Sequence, residues 1–223
     1  ERAARVARGG WRSSWASRSR SSEATRSTNP PAGPATRRSS RNAPTVINAV
    51  FNHRNFWDGR AQATFNGVDE WGDRNPDARL FRARADGTLE PVSLRIERAS
   101  LASQALAPLV SPIEMSAAGR TIADVGRRAA TLRPLARQQV SADDSVLGGL
   151  AAPQGGLAVD SYARWIKQAF APEWWRSSQL VQRTPEGDVR IVGGADGDGA
   201  TAEYRLVEWN FGLFFGLAVQ LYE

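Results

Sequence analysis

The spacing of apolar positions divides the chain at Arg41. Before it, residues 1–40 mix Arg, Ser, Ala, Gly and Pro with no helical or strand period, and Asn29-Pro-Pro-Ala-Gly-Pro34 forbids a regular element. Such a segment buries too little apolar surface to offset its ordering entropy, so disorder is expected there. After it, Ala43–Val50 reads as a turn into a short apolar segment, helical or extended. Leu80–Ala85 and Val92–Ile96 flank Asp86-Gly87, a hairpin signal. Val92, Leu94 and Ile96 alternate with Ser93, Arg95 and Glu97 as in a half-buried strand, and Pro91 suits a sheet edge. The hairpin sits in what reads as an insertion over residues 66–98.

Helical spacing dominates from Ser100 onward. Ser100 is placed to cap a helix through Leu101–Leu106, after which Pro108 and Pro112 force an irregular path to Glu114 and Met115. Ile122, Val125, Ala129 and Leu132 recur at three- and four-residue steps, which predicts a helix over Thr121–Val140 ended or kinked at Pro134. Tyr162, Trp165, Ile166 and Phe170 predict another over Asp160–Phe170. Ala202–Tyr222 reads as a last helix, apolar nearly all round after Val207. Its apolar part, Trp209–Tyr222, is 14 residues, short of the roughly 20 needed to cross a bilayer, so it is expected to be buried rather than membrane-spanning. Gly193–Gly199 reads as a solvated turn, because its aspartates lack the closing glutamate of a calcium loop.

Composition changes this picture in two places. The net charge of +6 is carried by residues 1–40, with nine arginines and two glutamates; the remaining body is close to neutral. An arginine-rich arm with Trp11 and Trp15 is a binder for nucleic acid or an anionic surface, but a solvated, disordered segment is the plainer reading and out-of-frame translation a third. Zero cysteines exclude disulfides and cysteine metal sites, and the single histidine, His53, excludes a histidine cluster. No phosphate-binding loop or dinucleotide fingerprint is present. The first thirty residues hold no apolar run of about 7–15 residues, as a secretory signal would. The chain begins with Glu1 and stops at an abrupt apolar end, and is read as an internal fragment whose last helix packs on a missing C-terminal part.

Three ordered blocks carry more information than any of these. They are Arg41, Asn42, Pro44 and Thr45; Phe56, Trp57, Asp58, Gly59, Arg60 and Ala61; and Leu101, Gln104, Ala105, Pro108, Pro112, Glu114 and Met115. In this order they resemble the inter-haem region of the bacterial di-haem cytochrome c peroxidases, a family that includes MauG-type enzymes. The resemblance runs from Arg41 to about Met115, is weaker in the terminal helix, and does not extend to residues 1–40. It implies a mainly α, cytochrome-c-like, loop-rich helical domain with a small β-hairpin insertion, formed by residues 41–223.

The function it implies is reduction of hydrogen peroxide to water, with electrons from a c-type cytochrome or other small donor, in the periplasm. Two haem c groups and a calcium ion would be the cofactors, and a missing C-terminal haem domain a partner. Glu114 would be the acid–base group, with Gln104 beside it and Pro108 shaping the pocket wall. Trp57 would carry electrons between haems, and Asn42 would offer a side-chain oxygen to calcium. The sequence departs from the family in lacking both Cys-x-x-Cys-His motifs and a histidine shortly before Arg41; His53 lies on the wrong side of that block and reads as a surface residue or one that backs the site without touching the haem. A haem-free scaffold relative, and a binder of nucleic acid or anionic surfaces through residues 1–40, are the alternatives.

Overall fold

A computed structural model describes residues 44–193 and 202–222. The disorder expected of residues 1–40, Asn42, and all but the first residue of the Gly193–Gly199 turn lie outside the described residues. In chain order the strands and helices are β1 (Leu80–Ala83), β2 (Leu89–Val92), α1 (Ser100–Val110), α2 (Ile122–Thr131), α3 (Tyr162–Ala169), β3 (Gln179–Arg183), β4 (Val189–Gly193), β5 (Ala202–Tyr204), α4 (Leu206–Trp209) and α5 (Phe211–Tyr222). Short 3-10 turns at Ala49–Phe51, Gly72–Arg74, Gly148–Leu150 and Pro172–Trp174 join them.

The expected mainly α, cytochrome-c-like fold is not what forms. The described residues are 34% helical and 15% strand and form one two-stranded and one three-stranded sheet, so the fold is mixed α and β. The three-stranded sheet, in the order β4-β3-β5, is antiparallel throughout. Its residues explain it: Val181, Val189, Ile191 and Val192 are β-branched and lie either side of Pro185-Glu186-Gly187-Asp188, a turn sequence.

The two hairpins close with the same loop. Arg84 N–H donates to Thr88 O and Gly87 N–H to Arg84 O; Thr184 N–H donates to Asp188 O and Gly187 N–H to Thr184 O. Each loop is three residues ending on a glycine, with φ 84° at Gly87 and 99° at Gly187, the form in which a left-handed third residue returns the chain to the ladder. This loop fixes the register of β1 and β2, pairing Ala83 with Leu89 and Leu80 with Val92. The second strand is therefore Leu89–Val92, not Val92–Ile96. The alternation beyond Val92 is still used, since Leu94 and Ile96 pack on the core and Ile96 bridges Phe65.

The helices depart from expectation for identifiable reasons. Helix α1 begins at Ser100 and runs through Pro108 to Val110. Helix α2 carries a capping box, Thr121 Oγ1 accepting from Asp124 N–H while the Asp124 carboxylate accepts from Thr121 N–H. It stops at Thr131 rather than reaching Val140, because Pro134 disfavours helix at Arg133 and the chain is already extended at Leu132. The expected helix Ala202–Tyr222 is three elements, β5, α4 and α5, with the helices broken at Asn210.

Asn210 explains that break. It is fully buried, its Oδ1 accepts from Phe81 N–H at 3.2 Å, and its Nδ2 donates to Phe81 O at 2.7 Å and Trp174 O at 2.8 Å. One side chain thus satisfies the outer edge of β1 as a neighbouring strand would.

The main core gathers Phe65, Leu80, Leu106, Ile122, Ile166, Phe211 and Phe214 under α1, α2 and α5. Burial of each such side chain is worth about 1.5–3 kcal/mol. Three glycines let the helices approach their neighbours. A Cβ at Gly126 would lie 2.3 Å from Glu208 O, one at Gly212 2.5 Å from Gly67 O, and one at Gly216 2.5 Å from the Phe65 ring. Among the described residues no helix is long and apolar enough to cross a membrane.

Candidate functional site

The stretch Asn55–Gln62 is a closed loop held by its own residues. Asn55 N–H donates to Ala61 O at 3.1 Å, and Gly59 N–H to Phe56 O at 3.1 Å. Phe56 takes φ 64°, a strained value for an aromatic residue, and the Arg60 guanidinium lies 4.0 Å above its ring. Asp58 accepts from Arg60 N–H at 3.2 Å and from its guanidinium at 2.9 Å. Gln62 Nε2 donates to the carbonyls of Gly59 and Arg60, and Ala61 is buried. What the loop displays is Trp57, 95% exposed.

Charge within the loop is balanced by one arginine. Desolvation opposes ionisation of Asp58, but the hydrogen bonds and charge of Arg60 hold its carboxyl below the ordinary value. Burial pushes the Glu70 carboxyl up, and the same Arg60, 3.7 Å away, offsets only part of this.

The loop is bolted to the start of α1. Asn55 Nδ2 donates to Ser100 Oγ at 3.1 Å and to Ala49 O at 3.2 Å, and Ser100 Oγ donates to Asn52 O at 2.5 Å. Ser100 is therefore a tie and not the helix cap expected of it; Ala99 holds the cap position. Neither Asn55 nor Ser100 could be recognised as a pair from sequence, because 45 residues separate them.

Helix α1 carries the next two candidates. Gln104 is buried and Pro108 half-buried, four residues apart and so on one face. The helix ends in a turn where Glu114 N–H donates to Ser111 O at 3.2 Å and Ser116 N–H to the same carbonyl at 3.0 Å. Glu114 is half-buried in that turn, between Ile113 and Met115, each 50% exposed. Gln104, Pro108 and Glu114 are thus arranged along and just past α1. The Trp57 loop is fastened at the opposite end, one helix length or about 16 Å away. Asn42 lies outside the described residues.

His53 is exposed, on the wall of an open cleft of about 630 Å³ with Phe51, Thr64 and Arg98. Among the described residues no group of three or more His, Cys, Asp or Glu side chains is placed to hold a metal ion. The sequence has no cysteine, so this chain cannot attach haem through thioethers, and an exposed loop histidine offers no buried axial position. The residues present do not fit a covalently held haem.

A second polar cluster went unread in the sequence. Tyr204 Oη donates to Asp124 Oδ1 at 2.6 Å, and Arg127 lies 4.2 Å above the Tyr204 ring. Glu208, buried, accepts from Arg205 at 2.8 Å. The Thr-x-x-Asp spacing at Thr121 and Asp124 was the available signal.

A family model described as di-haem cytochrome c peroxidase matches residues 16–173, more than half of the chain. The match takes in all three sequence blocks and the insertion between them. It also begins inside residues 1–40, where the sequence showed no likeness. No curated protein and no solved structure matches the chain. With the match covering both the Trp57 loop and the α1 turn that bears Glu114, the chain belongs to the di-haem cytochrome c peroxidase family.

Proposed function

We propose that the chain is the proton-handling and electron-relay part of an enzyme that reduces hydrogen peroxide to water with electrons from a c-type cytochrome, in the periplasm. The observation that carries this is the arrangement on α1: a buried Gln104, Pro108 on the same face, and Glu114 in the turn that follows. Glu114 takes a proton from one peroxide oxygen and returns it to the oxygen that leaves as water. Gln104, which can both donate and accept, holds the peroxide or a water beside it, and Pro108 stiffens the wall. Trp57, displayed on its closed loop, accepts electrons from outside the chain, and Asn42 is a calcium ligand. The redox group itself must be held by cysteines that this chain lacks.

The test is Glu114→Gln in the complete, haem-loaded protein, which keeps size and polarity but removes the base. Peroxide turnover should fall by about 10²–10⁴-fold, the usual contribution of such a group, with haem content unchanged. Turnover within a few-fold of the parent would return Glu114 to a structural role. The lack of cysteine favours a second reading, a haem-free binding relative. Haem titration of the complete protein separates the two: a stoichiometric haemochrome spectrum supports the enzyme, and none supports the scaffold.

A further inference from the structure

We propose that Tyr204 is a redox-active tyrosine, giving up one electron together with its phenolic proton, with Asp124 as proton acceptor and Trp209 as the route by which the hole leaves. Tyr204 is 2% exposed, yet its hydroxyl does not end in solvent; it ends on Asp124 Oδ1 at 2.6 Å. The other carboxylate oxygen is held by Thr121, through both its N–H and its Oγ1 at 2.8 Å. The acceptor is therefore aimed before any reaction takes place. Burial first, and then the bond to Asp124, push the phenol up. Burial also works to raise Asp124, but its bonds from Tyr204 and Thr121 and the charge of Arg127 hold it down, so the acceptor is ionised and empty at neutral pH.

The step balances. The ring loses one electron to the oxidant, the O–H bond breaks, and the proton passes to Asp124 Oδ1. The products are a neutral phenoxyl radical and a neutral carboxylic acid, and re-reduction reverses both. Arg127, 4.2 Å over the ring, disfavours a cationic ring and so ties electron loss to proton loss. Glu208 beside the pair is held by Arg205 at 2.7 Å and by Arg127 at 3.6 Å. Arg120 and Arg128 line the same open pocket as Asp124, so the charges facing the acceptor are positive and favour its ionised form. The exit is aromatic: Tyr204 and Trp209 meet edge-on at 5.9 Å. Trp209 lines an open groove of about 530 Å³ with Phe81, Val189 and Ile191, where a reductant can reach it. In service the oxidant is the one-electron oxidising equivalent left by peroxide when the donor is scarce, a role that rests on the proposed function.

The experiment supplies its own oxidant and so does not depend on peroxidase activity. Photogenerated tris(bipyridine)ruthenium(III) is flashed onto the full chain carrying Tyr162→Phe and Tyr222→Phe, which leaves Tyr204 as the single tyrosine of the original three. The expected result is a phenoxyl absorption band and radical signal that form more slowly in deuterated water. Asp124→Asn should slow formation by roughly 10²-fold, the low end of what a positioned base contributes. Trp209→Phe should lengthen the radical's life. Asp124 also caps α2; should its variant fail to fold, the deuterium effect on the parent decides alone. No phenoxyl signal, or formation indifferent to deuterium or to Asp124→Asn, overturns the proposal. An unchanged lifetime in Trp209→Phe overturns the exit route.

Discussion

At the scale of single residues, the decisive groups are amides and carboxylates whose partners lie far along the chain. Asn210 is the clearest. Asn210→Ala strands Phe81 N–H, Phe81 O and Trp174 O in the interior. Each buried group left unpaired costs about 1–3 kcal/mol, so urea unfolding should show a loss of at least about 2 kcal/mol, and a loss below the scatter of surface variants would show that water replaces the amide. Asp124 gives a pH signature. Its folded carboxyl lies below the ordinary 3.8, so the folded state binds fewer protons than the unfolded one between the two values. Its contribution is present above pH 3.8 and is lost as pH falls through the lower folded value. In Asp124→Asn the stability curve should be flatter in that acid window; an unaltered acid limb in denaturant titrations would contradict this. Glu70 acts with the opposite sign. Its raised carboxyl burdens the folded state when ionised, and that burden is relieved as pH falls through its folded value.

At the scale of elements, turn chemistry decided more than periodicity. The Asp86-Gly87 hairpin was legible because its glycine sits where a left-handed residue is required. The Pro185–Asp188 loop carries the same signal. The strands it joins gave no matching alternation, because β4 is exposed along most of its length and presents no buried face, so the three-stranded sheet was not legible. The prediction is that Gly87→Ala destabilises through the backbone alone, since nothing lies within 4 Å of an added Cβ. The left-handed penalty of about 1–2 kcal/mol per residue should appear in full by denaturant unfolding, and Gly87→Asn should recover part of it. Equal stability of Gly87→Ala and the parent would mean that the loop adopts another form. Helix ends were less legible than helix existence. The break at Asn210 exists to serve β1 and Trp174, neither of which is near it in sequence.

At the scale of the whole molecule, local order and distant pairing contributed unequally to what could be read. The motif Phe56–Ala61 was legible because its residues are contiguous and stand in the order on which the resemblance rests. Its attachment to α1 through Asn55 and Ser100, and the Tyr204–Asp124 pair 80 residues apart, were invisible for the converse reason. The mainly α expectation fails on the three-stranded sheet, whose strands of five, five and three residues are too short for an alternation to stand out in the sequence. The chain as a whole should carry no haem through denaturing electrophoresis, because thioether attachment needs cysteine; a positive haem stain on the purified chain would contradict this directly.

The glycines at 126, 212 and 216 carry a consequence for inheritance. Every one-base change of a glycine codon that alters the residue adds at least a Cβ, and here that atom would meet a carbonyl or a ring at 2.3–2.5 Å. Apart from silent third-base changes, these codons therefore have no harmless neighbours. A drifting gene can exchange Leu for Met or Ile for Val through most of this core at modest cost, while the contact of α5 with Gly67 and Phe65, and of α2 with Glu208, admits no intermediate. Lineages that keep this packing keep those three glycines, and lineages that lose one must rebuild the helix pair around the loss.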